Sequence, residues 1–305
     1  MMTEPAVFSS LPNFFILGAA KAGTTTLHDL LKQLPEVYFP FSKEPLFFSR
    51  DSLYEKGLDW YVQTFYKNAS AFPLRGDATP HYLYWSEKVA PRLRSLYPDG
   101  PMMIVLLRDP TERAYSWYWN MIREGRENLA FEAALQAEEE RLQKNDQEFR
   151  QLGAMIFGYV RGSCYAQLLE PFLESFSEKN FHFILYEDLR HDLNRTMQDL
   201  TAFLGMPSQD RKFQPVASNV SALPRSMNFQ RWLRKQSVWR ERLKTILPME
   251  FRHSLKQQLI KMNLRPAPYV EMTPETEVYL RNLFADGILD LQDIIGRDLS
   301  AWLPK

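Results

Sequence analysis

One cysteine in 305 residues, Cys164, excludes a disulfide within the chain. A lone cysteine in RGSCYAQLL is expected to be a small buried helix residue rather than a nucleophile, and no Cys/His spacing suggests a zinc site. Net charge is missing too. With 37 basic and 37 acidic residues the formal charge is zero, so the chain has no overall electrostatic footprint for nucleic acid, and any anion site must be local. No uncharged stretch reaches the ~18 residues that a membrane-spanning helix needs. The N-terminal MMTEPAVFSSLPNFFILG lacks the basic region and long apolar core of a secretory leader. A soluble, cytoplasmic protein is expected. Low-complexity tracts and internal repeats are also absent.

Apolar residues make up 45% of the chain, with 21 Phe, 14 Tyr and 7 Trp, enough for a sizeable core. A single α/β domain over residues 1–305 is expected, with its core at about 14–205 and a lid loop and helical extension at about 206–305. Its organising stretch is FFILGAAKAGTTTLHDLLKQL, from Phe14 to Leu34. An apolar run of strand length, a loop of small residues and a helix-period segment make the layout of a phosphate cradle. In such a cradle backbone N–H groups and the helix dipole face an anion. Gly18, Gly23 and Thr25 occupy the glycine and hydroxyl positions of the nucleoside triphosphate loop GxxxxGK[ST], but Thr24 stands at its lysine position. The cation has moved into the loop as Lys21, which points to a smaller phosphate-bearing group held by Lys21 and the hydroxyls of Thr24, Thr25 and Thr26. The alternative is an ordinary strand-to-helix turn with capping threonines.

Val37 to Phe48, VYFPFSKEPLFF, holds two prolines among aromatics and is expected to be a fixed extended loop rather than a strand, walling one side of a site. Glu44 within it is a candidate general base, because burial would raise its pKa towards neutrality. The alternative is a solvated Lys43–Glu44 pair of little consequence. Asp59 to Tyr66 suits a short packing helix. RGDATPHYLYW, residues 75–85, runs from a strand into a Thr79-Pro80 turn carrying His81, which is an acid, a base or an anion donor, or else merely bonds locally. Val89 to Tyr97 suits a crossover helix.

Met102 to Leu107, MMIVLL, predicts a strand buried on both faces, followed by Arg108 and a helix from Pro110 to Gly125. This is a second strand-to-helix anion site, with Arg108 at the strand's carboxyl end and Ser116 two turns along the helix. Asp109 and Glu112 are the alternative partners of Arg108. Residues 128–150 predict a charged helix and Gly158 to Phe176 a long amphipathic one. Phe181 to Leu185 predicts a third strand, and Leu193 to Leu204 a helix closed by Gly205. The alternation predicts an α/β fold, a P-loop-like parallel sheet with helices on both faces and a helical C-terminal extension. Pro207 to Asn228 suits a lid with Arg225 near its end. The basic residues that follow, from Arg231 to Arg265, make either a solvated helical face or a surface for an anionic partner.

Two anion loops suggest a nucleotide with phosphates at two places, and here the chain resembles the sulfotransferases that use 3′-phosphoadenosine 5′-phosphosulfate (PAPS). Within them it is similar to the heparan sulfate or carbohydrate-type branch and its soluble bacterial relatives. AAKAGTTTL looks like the 5′-phosphosulfate loop and LRDPTERAYSWY like the 3′-phosphate motif. KEPLFF and RGSCYAQLLEPFL also stand in their family places, and the likeness runs from Phe14 to about Gly205. The resemblance implies that Lys21, Ala22, Gly23, Thr24, Thr25 and Thr26 hold the 5′-phosphosulfate, with Lys21 assisting the leaving phosphate. It implies that Arg108 and Ser116 take the 3′-phosphate, that Tyr165 and Arg225 also contact the nucleotide, and that Glu44 is the base. Asp77-Ala78-Thr79-Pro80 departs from the frequent Glu-Lys-Thr-Pro, so a second active-site lysine is absent and His81 is the candidate to compensate. A late Lys-Gly-Arg and the disulfide loop of the Golgi enzymes are not evident.

The implied reaction is in-line sulfuryl transfer, requiring no metal and leaving adenosine 3′,5′-bisphosphate. The acceptor is a hydroxyl, or secondarily an amine, of a carbohydrate, lipid-like or carrier-bound molecule, so a carrier protein is a conceivable partner and nucleic acid is not. A nucleotide-binding regulator without turnover and a P-loop kinase-like enzyme are the other classes. Nothing in the sequence speaks to oligomeric state.

Overall fold

Three largely apolar runs, a two-residue edge segment and the mixed stretch LRGDA pair side by side through their backbones. In the computed structural model these are β1 (Phe14–Gly18), β2 (Val37–Tyr38), β3 (Leu74–Ala78), β4 (Met102–Leu107) and β5 (Phe181–Leu185), in the order β2-β3-β1-β4-β5. All four pairings are parallel. Phe14 to Leu17 and Met103 to Leu107 have no exposed surface, which is why these strands are continuously apolar rather than alternating. Residues 8–143, 154–207, 211–214, 222–226, 229, 258–259, 262–266 and 270–305 are described.

The helices, in chain order, are α1 (Thr24–Leu31), α2 (Asp51–Tyr54), α3 (Gly57–Tyr61), α4 (Ser86–Leu96), α5 (Pro110–Arg123), α6 (Phe131–Gln136), α7 (Glu138–Gln143), α8 (Ala154–Phe157), α9 (Tyr165–Ser175), α10 (Tyr186–His191), α11 (Leu193–Phe203) and α12 (Pro274–Ile295). The helices of the unit that contains the parallel sheet flank it, the architecture expected from the β-α alternation. The described residues group into two units. The first comprises 1–114, 160–217 and 278–305 and contains the sheet; the second comprises 115–159 and 218–277. In the second, β6 (Ala222–Pro224) pairs antiparallel with β7 (Leu264–Pro266). There too a fully buried Glu127 accepts from Tyr159 Oη (2.6 Å), from Arg141 Nη1 (2.6 Å) and from the N–H groups of Asn128 and Leu129. Burial raises the pKa of this carboxyl, but Arg141 and Tyr159 outweigh it and hold the pKa below the usual range.

Several expected elements differ. Val37–Tyr38 is a strand after all: it lies at the sheet edge, and Pro40 follows only after the pairing has ended. Asp59–Tyr66 divides into α3 and a π-helical turn over Val62–Tyr66. The long helix expected from Gly158 begins only at Tyr165, after a 3-10 turn over Arg161–Ser163. Cys164 is the half-buried residue before that helix, not an interior one, with Sγ 3.4 Å from the Val160 carbonyl. Of the charged segment 128–150, α6 and α7 are described and 144–150 is not. Most of the expected lid and of the basic segment beyond it also lies outside the described residues.

Strand order positions the site. From β1 the chain moves outward to the β2 edge and returns to β3 beside β1. It then crosses to β4 on the other flank of β1 and continues outward to β5. The connections leaving β1 and β4 therefore depart in opposite directions, and the crevice at their carboxyl ends is where open α/β sheets bind ligands.

Candidate functional site

The loop after β1 is shaped by backbone demands. Gly23, at the N-cap of α1, has φ +94°, and a side chain there would start 3.1 Å from the Tyr186 ring. Only glycine meets both conditions without strain. No side chain caps α1, so the N–H groups of its first turn, Thr24, Thr25 and Thr26, carry the dipole's positive end without an intrahelical acceptor. Thr24 is buried, Thr26 half-buried and Thr25 exposed. Ala22, buried, donates its N–H to the Ala19 carbonyl. Lys21 has φ +76°, a left-handed backbone that costs a non-glycine residue roughly 1–3 kcal/mol and clusters at ligand clamps.

The loop after β4 lies against it. Arg108 Nη1 is 3.4 Å from the Lys21 carbonyl oxygen, and its guanidinium sits 4.8 Å over the Tyr186 ring. Tyr186, from the start of α10, thus packs against both loops, a role that its sequence position does not disclose. Arg108 also donates from Nε (3.0 Å) and Nη2 (2.7 Å) to Glu112 Oε2, so the ion pair weighed as an alternative is present. The expectation of a second free helix N-terminus needs correction. Asp109 Oδ1 accepts from the N–H groups of Thr111 (2.8 Å) and Glu112 (3.3 Å). A buried carboxylate already caps α5, leaving any anion there to the Arg108 side chain. Tyr165, 3% exposed, donates its hydroxyl to the Arg108 carbonyl at 2.9 Å. It fixes the arginine's backbone, and burial pushes its phenol up. Ser116 lies half-buried on the second turn of α5; Arg225 is exposed beside β6. Both belong to the second unit.

Glu44 sits in the segment after β2, where Leu46 takes a second left-handed non-glycine backbone, φ +60°. His81 Nε2 is 3.4 Å from Glu44 Oε2, and Lys43 Nζ is 3.8 Å from Glu44 Oε1. Lys43 Nζ also donates to Thr25 Oγ1 at 2.8 Å. A continuous polar line therefore runs from the phosphate-type loop through Lys43 and Glu44 to His81. The expected raised pKa of Glu44 is overturned. Burial pushes it up, but the hydrogen bond and charge of His81, the charge of Lys43 and that of His28 outweigh burial and hold it at about 2. Burial in turn lowers Lys43. Lys43 went unrecognised because a Lys-Glu neighbour pair in sequence resembles any surface pair.

Behind this line Asp77, at the end of β3, is fully buried and accepts three hydroxyls. These are Thr79 Oγ1 at 2.5 Å, Tyr61 Oη at 2.7 Å and Tyr82 Oη at 2.9 Å. Burial pushes its pKa up to about 6 despite those bonds.

A family model described as "sulfotransferase domain" matches residues 11–254. The chain is 38% identical over 110 residues, 35% of its length, to the membrane-associated sulfotransferase kil1 of Dictyostelium discoideum, the match covering 22% of that protein. It is 29% identical over 208 residues, 64% of its length, to the bifunctional heparan sulfate N-deacetylase/N-sulfotransferase 3 of Homo sapiens, covering 22% of that protein. The matches thus span about a fifth of the length of these relatives. Among solved structures, a sulfotransferase from Alicyclobacillus acidocaldarius is 27% identical, with a TM-score of 0.68 over 96% of this chain and 98% of that one.

Proposed function

We propose, from the premise that this chain belongs to the sulfotransferase-domain family, that it transfers a sulfuryl group from PAPS to a hydroxyl or amine of an acceptor. The observation that carries the reading is the adjacency of two cation-bearing loops, Arg108 Nη1 lying 3.4 Å from the Lys21 carbonyl. A nucleotide with anionic groups at both its 3′ and 5′ positions calls for two such loops side by side. The bare N-terminus of α1 and the left-handed Lys21 suit the 5′ group, and the Arg108 guanidinium suits the 3′-phosphate. When bound, the donor supplies an activated sulfur–oxygen bond whose cleavage leaves negative charge on the bridging phosphate oxygen.

Lys21 and the first-turn N–H groups and hydroxyls of Thr24, Thr25 and Thr26 meet that charge as it develops. Ala22 and Gly23 bring the backbone close, and Tyr165 steadies Arg108. Glu44 takes the acceptor's proton as the acceptor oxygen or nitrogen bonds to sulfur and the bond from sulfur to the phosphate oxygen breaks. Lys43 supplies the cation missing at Ala78, because its Nζ already reaches Thr25 Oγ1. Anionic charge arriving beside Lys43 draws on one of the charges that, after His81, depress Glu44, so the base gains strength as the donor docks. His81 orients the carboxylate. The name N-sulfotransferase on the human relative is what keeps an amine open beside a hydroxyl. Carbohydrate, lipid-like and carrier-bound acceptors all remain compatible with the aromatic wall.

The test is incubation with ³⁵S-labelled PAPS and a cell extract, with mass spectrometry for products that have gained SO₃. Glu44→Gln is expected to lower kcat on the acceptor so found by about a hundredfold, the usual range for a general base, with adenosine 3′,5′-bisphosphate affinity unchanged. Wild-type turnover in Glu44→Gln would transfer the role to His81. PAPS binding without transfer to anything would instead make the chain a regulator, and magnesium-dependent ATP binding a kinase-like enzyme.

A further inference from the structure

We infer that Asp77 is a positioning residue whose ionised carboxylate, by taking three hydroxyl protons at once, locks the segment carrying Glu44 against the turn carrying His81. The inference rests on the proposed roles of Glu44 and His81 but is carried by a different set of contacts. A carboxylate only accepts, so Thr79, Tyr61 and Tyr82 must all donate to it, and they come from two parts of the site. Tyr82 and Thr79 bracket His81. Tyr61, from α3, stacks its ring on Phe47 with centroids 4.3 Å apart and planes at 15°. Because the Tyr82 proton points to Asp77, its oxygen presents a lone pair to the Phe48 N–H, 3.4 Å away. Phe47 and Phe48 end the run that begins Lys43-Glu44. One buried charge therefore sets the direction of hydrogen bonds on both sides of the 3.4 Å contact between Glu44 and His81.

Protonated Asp77 must donate from one oxygen, and one of the three hydroxyls must then turn its proton away. If that hydroxyl is Tyr82, its proton swings towards the Phe48 N–H and the contact becomes repulsive. The titratable groups that face Asp77 are Glu44 and the phenols of Tyr61, Tyr66, Tyr82 and Tyr97. All four phenols are raised well above their ordinary value, chiefly by burial, so Asp77 and Glu44 are the two of these that change charge below pH 8. Their like charges couple, Glu44 helping to raise Asp77.

The experiment follows the Phe48 backbone amide by ¹⁵N NMR between pH 5 and 8 in the wild type, Asp77→Asn, Tyr82→Phe and Glu44→Gln, without any acceptor. In the wild type this resonance should shift with a midpoint near 6, the value for Asp77. Asp77→Asn, whose amide always donates, should sit near the wild type's low-pH position at every pH and lose that transition. Tyr82→Phe should uncouple Phe48 while Thr79 and Tyr61 still hold Asp77. Glu44→Gln should keep the transition at lower pH. With PAPS and the acceptor in hand, Asp77→Asn should lower kcat at pH 8 to the wild type's level below pH 6, with adenosine 3′,5′-bisphosphate affinity unchanged. An Asp77→Asn protein with wild-type shifts at pH 8, or with a wild-type pH profile of kcat, overturns the inference. Full turnover in Glu44→Gln beside these NMR results overturns the base assignment alone.

Discussion

Arg108 shows how a residue can be ready for a ligand and engaged elsewhere at the same time. Its guanidinium is shared among Glu112, the Lys21 carbonyl and the Tyr186 ring, and a 3′-phosphate would compete with Glu112 for it. Arg108→Ala should weaken adenosine 3′,5′-bisphosphate binding by roughly 1.5–3 kcal/mol, the range for a hydrogen bond to a charged group. Glu112→Gln should strengthen it slightly, by roughly 0.2–0.5 kcal/mol, the strength of a helical i, i+4 pair. Calorimetry with 5′-AMP as comparison checks both, because neither change should alter affinity for a nucleotide lacking the 3′-phosphate. Lys21 differs in kind. The charge it meets on the bridging oxygen exists fully only in the transition state, so Lys21→Ala should lower single-turnover transfer at saturating PAPS far more than it lowers affinity. An unchanged rate would leave Lys21 a binding residue only.

At the scale of elements, the two strand-to-helix junctions look alike in sequence and behave differently. Both have a strand, a short loop and a helix, but α1 begins at a glycine with no side-chain cap, whereas Asp109 caps α5 from within. The N-terminus of α1 is therefore the one with N–H groups to offer. Gly23 controls it. With φ +94° and the Tyr186 ring 3.1 Å from where a Cβ would stand, Gly23→Ala should destabilise the fold by about 1–2 kcal/mol. It should also weaken bisphosphate binding by about tenfold, equivalent to about 1.4 kcal/mol. A thermal melt and a binding isotherm on the same protein check the pair. A normal isotherm would mean that the loop tolerates the shift of Tyr186 away from Arg108.

At the scale of the molecule, the pH dependence of stability reports the opposing carboxyls of the first unit. Asp77 is raised from 3.8 to about 6, so the fold binds its proton more tightly than the unfolded chain does. Its contribution is complete below about pH 4 and is lost as pH rises through about 6; the shift corresponds to about 3 kcal/mol. Glu44 is lowered from 4.5 to about 2. Its contribution is present above pH 4.5 and is lost as pH falls through 2, and because a third of its side chain is exposed, solvent screening reduces it. The melting temperature of Asp77→Asn minus that of the wild type should therefore rise between pH 5 and pH 8, while the variant's turnover falls. A flat difference would mean that Asp77 ionises unhindered.

What the sequence by itself determined is whatever lies within one contiguous stretch. The strands Phe14–Gly18 and Met102–Leu107 follow from unbroken apolar runs, and the α/β class follows from the alternation of elements. The strand, loop and helix around Lys21, and the placing of Arg108 at a strand end, likewise follow from local pattern. Contacts between distant stretches were decided only by tertiary structure. The order β2-β3-β1-β4-β5 brings residues 18–23 beside 108. The folding of segment 37–48 back over α1 joins Lys43 to Thr25. The placement of His81 opposite Glu44 reversed the expected pKa shift. A carboxyl's pKa is a sum over burial and every charge around it, and none of those neighbours adjoins Glu44 in sequence except Lys43.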